Sequence, residues 1–370
     1  MNLPHPRPTA RRLRELDSLR GIAAGCVLLF HLSSDANDHY RQWPFQVQWG
    51  HFGVELFFVI SGFVILMTLE KSAGVAEFLI SRVTRLYPAY WCAVLLTSAV
   101  LWAVGSPEVP SWGAVLADLT MFQSFMRVRS IDPSYWTLTA ELIFYLLIVS
   151  WYRFRAARWP DVEYYALGWI AVSAVIRIAL VVTDRGPLPG PLAMPILLYY
   201  GQLFIVGLCL YRFYAGQGRG LTLCTLIAAC GYSLFGAGPT SWAAGPWLYF
   251  PLTCAIAAVV YLASRSRLRL LELPVLIFLG DISYPLYLIH QVVGTQLMSA
   301  AHLHGMPAWL TLPAVVLTLV AAAYLIHRLV EVPARTVLRT GLRQILLDRT
   351  APTPPDPLQS AAPSSPTAVP

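Results

Sequence analysis

An arginine and a histidine, Arg20 and His31, sit inside the first apolar stretch of the chain, Leu16 to Leu32 (LDSLRGIAAGCVLLFHL). Ionisable groups are costly in so apolar a run, and keeping both marks a candidate site. On a helix the intervening steps turn through about 1100°, which returns His31 to within roughly 20° of Arg20 and raises it by ~16 Å. Two carboxylates fall in comparable runs: Glu55 in HFGVELFFVISGF (His51 to Phe63) and Glu141 in YWTLTAELIFY (Tyr135 to Tyr145). The pattern places His31, Glu55 and Glu141 at similar depth near one end of their stretches. An imidazole beside a carboxylate keeps one ring nitrogen protonated and leaves the other free to take a proton from an alcohol. His31 is the expected base, with Glu141 or Glu55 orienting it. A plain buried hydrogen bond explains Glu55 equally well.

At the other end, FLISRVTRLYPAYW (Phe78 to Trp91) puts Arg82 and Arg85 three apart, on one helical face just before an apolar run. A fork of two guanidinium groups suits phosphate, although the general preference for basic residues on one side of a membrane also accounts for the pair. LGDISYPLYLIHQ (Leu279 to Gln291) carries Ser283, Tyr287 and His290 as one polar stripe, and Tyr284-Pro285 is expected to bend that helix. Tyr287 and His290 are taken as supporting residues, with Asp17, Glu55 and Trp136. Gly53, Gly62, Tyr135 and Trp136 are expected to serve packing or a cavity.

These residues need a frame that lies in a membrane. Of the 370 residues 57% are hydrophobic and only 12% charged, and the mean hydropathy is +0.59, values foreign to a water-soluble globular protein. The expected fold is all-α, a polytopic transmembrane bundle of about ten spans: 17–32, 52–69, 87–104, 136–152, 164–182, 192–211, 221–236, 247–263, 275–299 and 308–327. Twenty of the 26 Lys and Arg residues then fall on the side of the termini, against four on the other (Arg41, Arg127, Arg129 and Arg185). That bias predicts both termini in the cytoplasm and an uncleaved first span. The net charge of +7 reflects topology and anionic lipid, with no nucleic-acid partner needed. Six cysteines without a C-x-x-C pattern support neither a metal site nor a disulfide framework.

The expected organisation is a basic cytoplasmic segment 1–15, a transmembrane domain 16–335 and a Pro-rich, disordered cytoplasmic tail 336–370. Ser33 to Gly50 is read as an external loop able to meet a polar ligand. Ser111 to Phe125 is read as a short interfacial helix, and together they would roof an external cavity.

The ordered set LDSLRG with its Arg and following His, GVELFFVISGF, RVTRLYPAYW, WTLTAELIFY and LGDISYPLYLIH resembles the acyltransferase-3 family of integral-membrane O-acyltransferases, which includes bacterial O-antigen and nodulation-factor acetylases. The resemblance runs from about Leu16 to Arg335. It implies an enzyme of the inner (cytoplasmic) membrane that takes an acyl group, expected to be acetyl, from cytoplasmic acyl-CoA and places it on a sugar hydroxyl outside. It matches Arg20 and His31 to the family's essential Arg and His, and Arg82 and Arg85 to its cytoplasmic Arg-x-x-Arg. Acyl-CoA is then the donor substrate, with no permanently bound cofactor, and the partners are a carbohydrate or other hydroxyl acceptor and the bilayer. Some members carry a fused external esterase-like domain, where this sequence has a proline-rich tail. A transporter or exporter of an acylated or glycosylated small molecule is the competing reading, and it would place no demand on Arg82 and Arg85.

Overall fold

Backbone in hydrocarbon must satisfy its own hydrogen bonds, so long apolar runs fold as helices. The computed structural model describes residues 13–40, 45–155, 162–235 and 246–346, and every regular element among them is helical. The chain begins with α1 (Arg14–His39), α2 (Gly53–Lys71), α3 (Val75–Ala103), α4 (Trp112–Leu119) and α5 (Trp136–Arg155). There follow α6 (Val162–Val182), the single turn α7 (Gly190–Ala193), α8 (Gly201–Tyr214), α9 (Gly220–Tyr232) and α10 (Pro246–Ser264). The last are α11 (Pro274–Ile289), α12 (Val292–Leu303), α13 (Ala308–Ile326) and α14 (Val332–Leu346).

Among the described residues eight helical stretches are long and apolar enough to cross a bilayer, or nine if α11 and α12 together make one. The expected ten reduce to this number because the stretch Gly220–Phe235 is short and because the ninth span is broken. The break is a 75° bend between α11 and α12, at His290 and Gln291, beyond Pro285 where the sequence suggested it. Its physical cause lies in Asp132. Oδ2 of this carboxylate accepts the Val292 backbone N–H at 3.0 Å and so satisfies a donor that a new helix start leaves unpaired.

Helix α1 is the axis of the bundle, packed against α2, α10, α11, α12 and α13. It crosses α11 glycine to glycine. A Cβ on Gly21 would lie 2.5 Å from the Gly280 nitrogen, and one on Gly280 would collide with the Asp17 carbonyl oxygen. Small residues let two backbones touch in this way, and they account for the glycines of LDSLRG and LGD on facing helices. Ser18 pins the same end of α1 by donating to the Leu271 carbonyl at 2.6 Å.

Three further expectations change in the structure. Ser33 to His39 form the last turns of α1 instead of a loop. There Asp35 accepts from Thr295 (2.6 Å) and His39 Nε2 meets Ser299 Oγ (2.9 Å), so these polar groups join α1 to α12. Residues 41–44 of that segment, with Arg41, lie outside the described residues. The third span begins at Val75, not 87, so Arg82 and Arg85 lie inside a continuous helix that carries on through Pro88. Residues 336–346 of the expected tail are helical: α14 continues α13 through a π-turn at His327–Glu331. Arg339 and Arg343 hold it to Glu77 of α3 at 3.8 and 3.3 Å. The expected disorder of 347–370, and most of the basic segment 1–15, fall outside the described residues. Where the sequence suggests an interfacial helix the structure has α4, shorter than expected and capped by Ser111, which accepts from Ala114 N–H.

Candidate functional site

Arg20 and His31 share one uninterrupted helix, so the helical rise of ~16 Å between them applies directly. Arg20 opens onto a cavity with an empty volume of about 440 Å³ between α1, α2, α5 and α11, where it meets Glu141, Ser61, Thr137, Tyr284 and Tyr287 among apolar neighbours. Arg85, Glu141 and Asp17 are the charges that act on it. Asp17 stands one helical turn before Arg20, on the same side.

Glu141 is firmly engaged. Its Oε1 accepts from the Tyr145 hydroxyl at 2.7 Å and from Ser61 Oγ at 3.3 Å. The structure thus groups Glu141 with Arg20 rather than at the depth of His31. Tyr145 carries the connection onward, because Arg82 lies over its ring at 5.9 Å and over the Phe78 ring at 5.6 Å. Arg82 is buried and donates to Thr68, while its Nε has no partner among the described residues. Arg85 is half-buried beside it. A buried guanidinium with a spare donor is suited to an anionic ligand.

From the cavity the polar groups continue toward His31. Thr137 Oγ1 donates to the Tyr287 hydroxyl at 3.1 Å, and the Tyr287 ring stands 5.2 Å from that of His290. The His290 and His31 rings are in turn 5.2 Å apart. His290 Nδ1 is 2.6 Å from the Tyr287 carbonyl oxygen. A carbonyl only accepts, so Nδ1 carries the proton and Nε2 presents its lone pair. That Nε2 is buried without a partner among the described residues, and it belongs to a side chain at the α11–α12 elbow. His31 therefore has a histidine as its ring neighbour. Glu55 is instead occupied by Tyr249, whose hydroxyl donates to Oε1 at 3.2 Å.

Asp132 holds this elbow. Besides Val292, it accepts from the Ser134 N–H at 2.8 Å and Ser134 Oγ at 2.6 Å, which ties the start of α5 to the start of α12. Burial pushes its carboxyl up from the usual range, and the hydrogen bonds from Ser134 and Val292 pull it back. The sequence reading passed over Asp132, although Asp-Pro before an apolar run is a helix-start signal. It also passed over Tyr145, one turn beyond Glu141. Trp136 packs against Tyr200 and Phe58, with ring centroids at 4.9 and 5.9 Å, and a Cβ on Gly62 would strike the Phe204 carbonyl. Both serve packing.

A family model described as an acyltransferase domain matches residues 13–328. The chain is similar to the acyltransferase MdmB of Streptomyces mycarofaciens, 25% identical over 392 aligned positions covering 96% of this chain and 98% of that protein. It is similar also to nodulation protein 10 of Rhizobium leguminosarum bv. viciae, at 28% identity with 88% and 94% covered. A third relative is the exopolysaccharide production protein ExoZ of Rhizobium meliloti, at 26% identity with 85% and 95% covered. No solved structure matches the chain.

Proposed function

The chain belongs to the acyltransferase-3 family and is a multi-pass membrane O-acyltransferase, and from that premise we propose that it carries an acyl group, most simply acetyl, from cytoplasmic acyl-CoA to a hydroxyl of a carbohydrate acceptor on the outer side of the inner membrane. The observation that supports this reading is the line of polar side chains running from Arg82 through Tyr145, Glu141 and Arg20 to Tyr287, His290 and His31. Phosphates of the donor rest on Arg82 and Arg85, and the pantetheine arm extends past Arg20 toward His31. The ~16 Å between those two residues is comparable to its extended length.

At the far end His31 acts as general base. It takes the proton of the acceptor hydroxyl as the oxygen attacks the thioester carbon. The carbon–sulfur bond then breaks, and the departing thiolate recovers the proton from His31. His290, with Nδ1 held by the Tyr287 carbonyl, presents an acceptor lone pair beside His31 that orients either the imidazole or the incoming hydroxyl. Glu141 balances the buried charge of Arg20 along the donor's path. Membership of an acyltransferase family decides for an enzyme over the exporter reading. The exopolysaccharide-production name of one relative favours a carbohydrate acceptor.

The reading is tested by supplying labelled acetyl-CoA to one side of proteoliposomes and a carbohydrate acceptor to the other. Label recovered on the acceptor as an alkali-labile ester is the expected result. Label that stays on the donor with every hydroxyl acceptor offered, while the folded protein is shown to be inserted, would overturn it.

A further inference from the structure

Helix α14 brings a further arginine to the level of Arg82 and Arg85. It packs against α3, and Arg339 and Arg343 both reach Glu77, at 3.8 and 3.3 Å. Arg335 is one turn before Arg339 and two before Arg343, on the same face. Midway between Arg339 and Arg343 the two helices are in register at Glu77, so Arg335 lies ~9 Å along the axis from that level. On α3, Arg82 and Arg85 lie ~8 and ~12 Å from Glu77. The turn His327–Glu331 that precedes α14 also packs against α3, which begins at Val75 and would be out of its reach in the parallel sense. The two helices therefore run antiparallel and Arg335 is level with the pair, with Arg82 and Arg85 among the charges that act on it. The remaining charges there are Glu331 and Arg339. Glu331 already accepts from His327 at 2.9 Å, and Glu77 is shared by two arginines. The groove between α3 and α14 therefore gathers more guanidinium than carboxylate charge. Arg335 is open to solvent there, whereas Arg82 is buried.

We propose that Arg335 completes a three-arginine phosphate site between α3 and α14, holding the 3′-phosphate of coenzyme A while Arg82 and Arg85 hold its pyrophosphate. This rests on the acyl-CoA reading above. The division follows from placement: Arg82 adjoins Tyr145 and the inward polar line that the pantetheine arm would follow, and Arg335 stands at the solvent side where the ribose phosphate would remain. The C-terminal helix is on this account a wall of the donor site.

The test compares binding of coenzyme A and 3′-dephospho-coenzyme A to the full-length protein in detergent, for wild type, Arg335→Gln and Arg335→Lys. Arg335→Gln is expected to weaken coenzyme A binding by about ten-fold, the scale of a lost charge-assisted hydrogen bond, and to leave the dephospho ligand unchanged. Arg335→Lys should restore part of the loss. An unchanged Kd for coenzyme A in Arg335→Gln, or an equal loss for both ligands, overturns the assignment. Failure of the folded wild type to bind either ligand would instead refute the acyl-CoA reading beneath it.

Discussion

Replacing Asp132 by Asn removes one of the two acceptor oxygens that join the start of α5 to the start of α12. In the native structure Oδ1 accepts two hydrogen bonds from Ser134, at 2.8 and 2.6 Å, and Oδ2 accepts one from Val292 N–H at 3.0 Å. Asn keeps a single acceptor, and its amide would face a backbone or hydroxyl donor on the other side. Retaining the Ser134 contacts therefore frees Val292, the first residue of α12. Loss of a hydrogen bond to a charged acceptor costs about 1.5–3 kcal/mol. The carboxylate's environment is buried, so water gives little relief. If that energy holds the elbow that presents His290 to His31, acyl transfer should fall by roughly ten- to a hundred-fold, at about 1.4 kcal/mol per factor of ten. The assay is the rate of label transfer from acetyl-CoA at saturating donor, alongside the donor's Kd and thermal unfolding in detergent. We expect a lower rate with an unchanged Kd, since the phosphate end is remote from the elbow. A rate within two-fold of wild type in a folded variant would refute the argument that Asp132 positions the elbow.

Gly280→Val should separate α1 from α11, because a Cβ there collides with the Asp17 backbone. Overpacking of this kind costs about 1–3 kcal/mol or more, read as a lower melting temperature and loss of a monodisperse peak in size-exclusion chromatography. Gly25→Val, where a Cβ meets nothing within 4 Å, is the control and should behave as wild type. Asp118 supplies a pH test. Burial pushes its carboxyl up to about 7, against a usual value of 3.8. Between those values the folded state holds a proton that the unfolded state has lost, so stability falls as pH rises through the window. Asp118→Asn should remove that part of the slope, measured as melting temperature from pH 4.5 to 7.5, and an unchanged slope would contradict the assignment.

Much of the architecture is legible because helical periodicity is a local property. The run from Leu16 to Leu32 fixes Arg20 and His31 on one face whatever surrounds them, and α1 carries both. The depth of Glu141 was not legible, since its place along α5 does not say how α5 slides against α1. That offset is set by contacts between helices, such as Thr137 with Tyr287 and the Gly21–Gly280 crossing. The break at His290 was equally hidden. Pro285 is the visible helix breaker, yet the helix runs through it and ends where a carboxylate from a distant loop satisfies Val292. Arg335 reads as one more basic residue after the last span until α14 is laid on α3. Charge counts alone place it on the same side as Arg82 and Arg85 and say nothing of its neighbours.

The most direct measurement of the central claim is acyl-CoA binding and turnover by the purified protein beside Arg82→Ala and His31→Ala. The account predicts loss of donor binding in Arg82→Ala, and donor binding retained with transfer abolished in His31→Ala. Normal transfer by folded His31→Ala would contradict it.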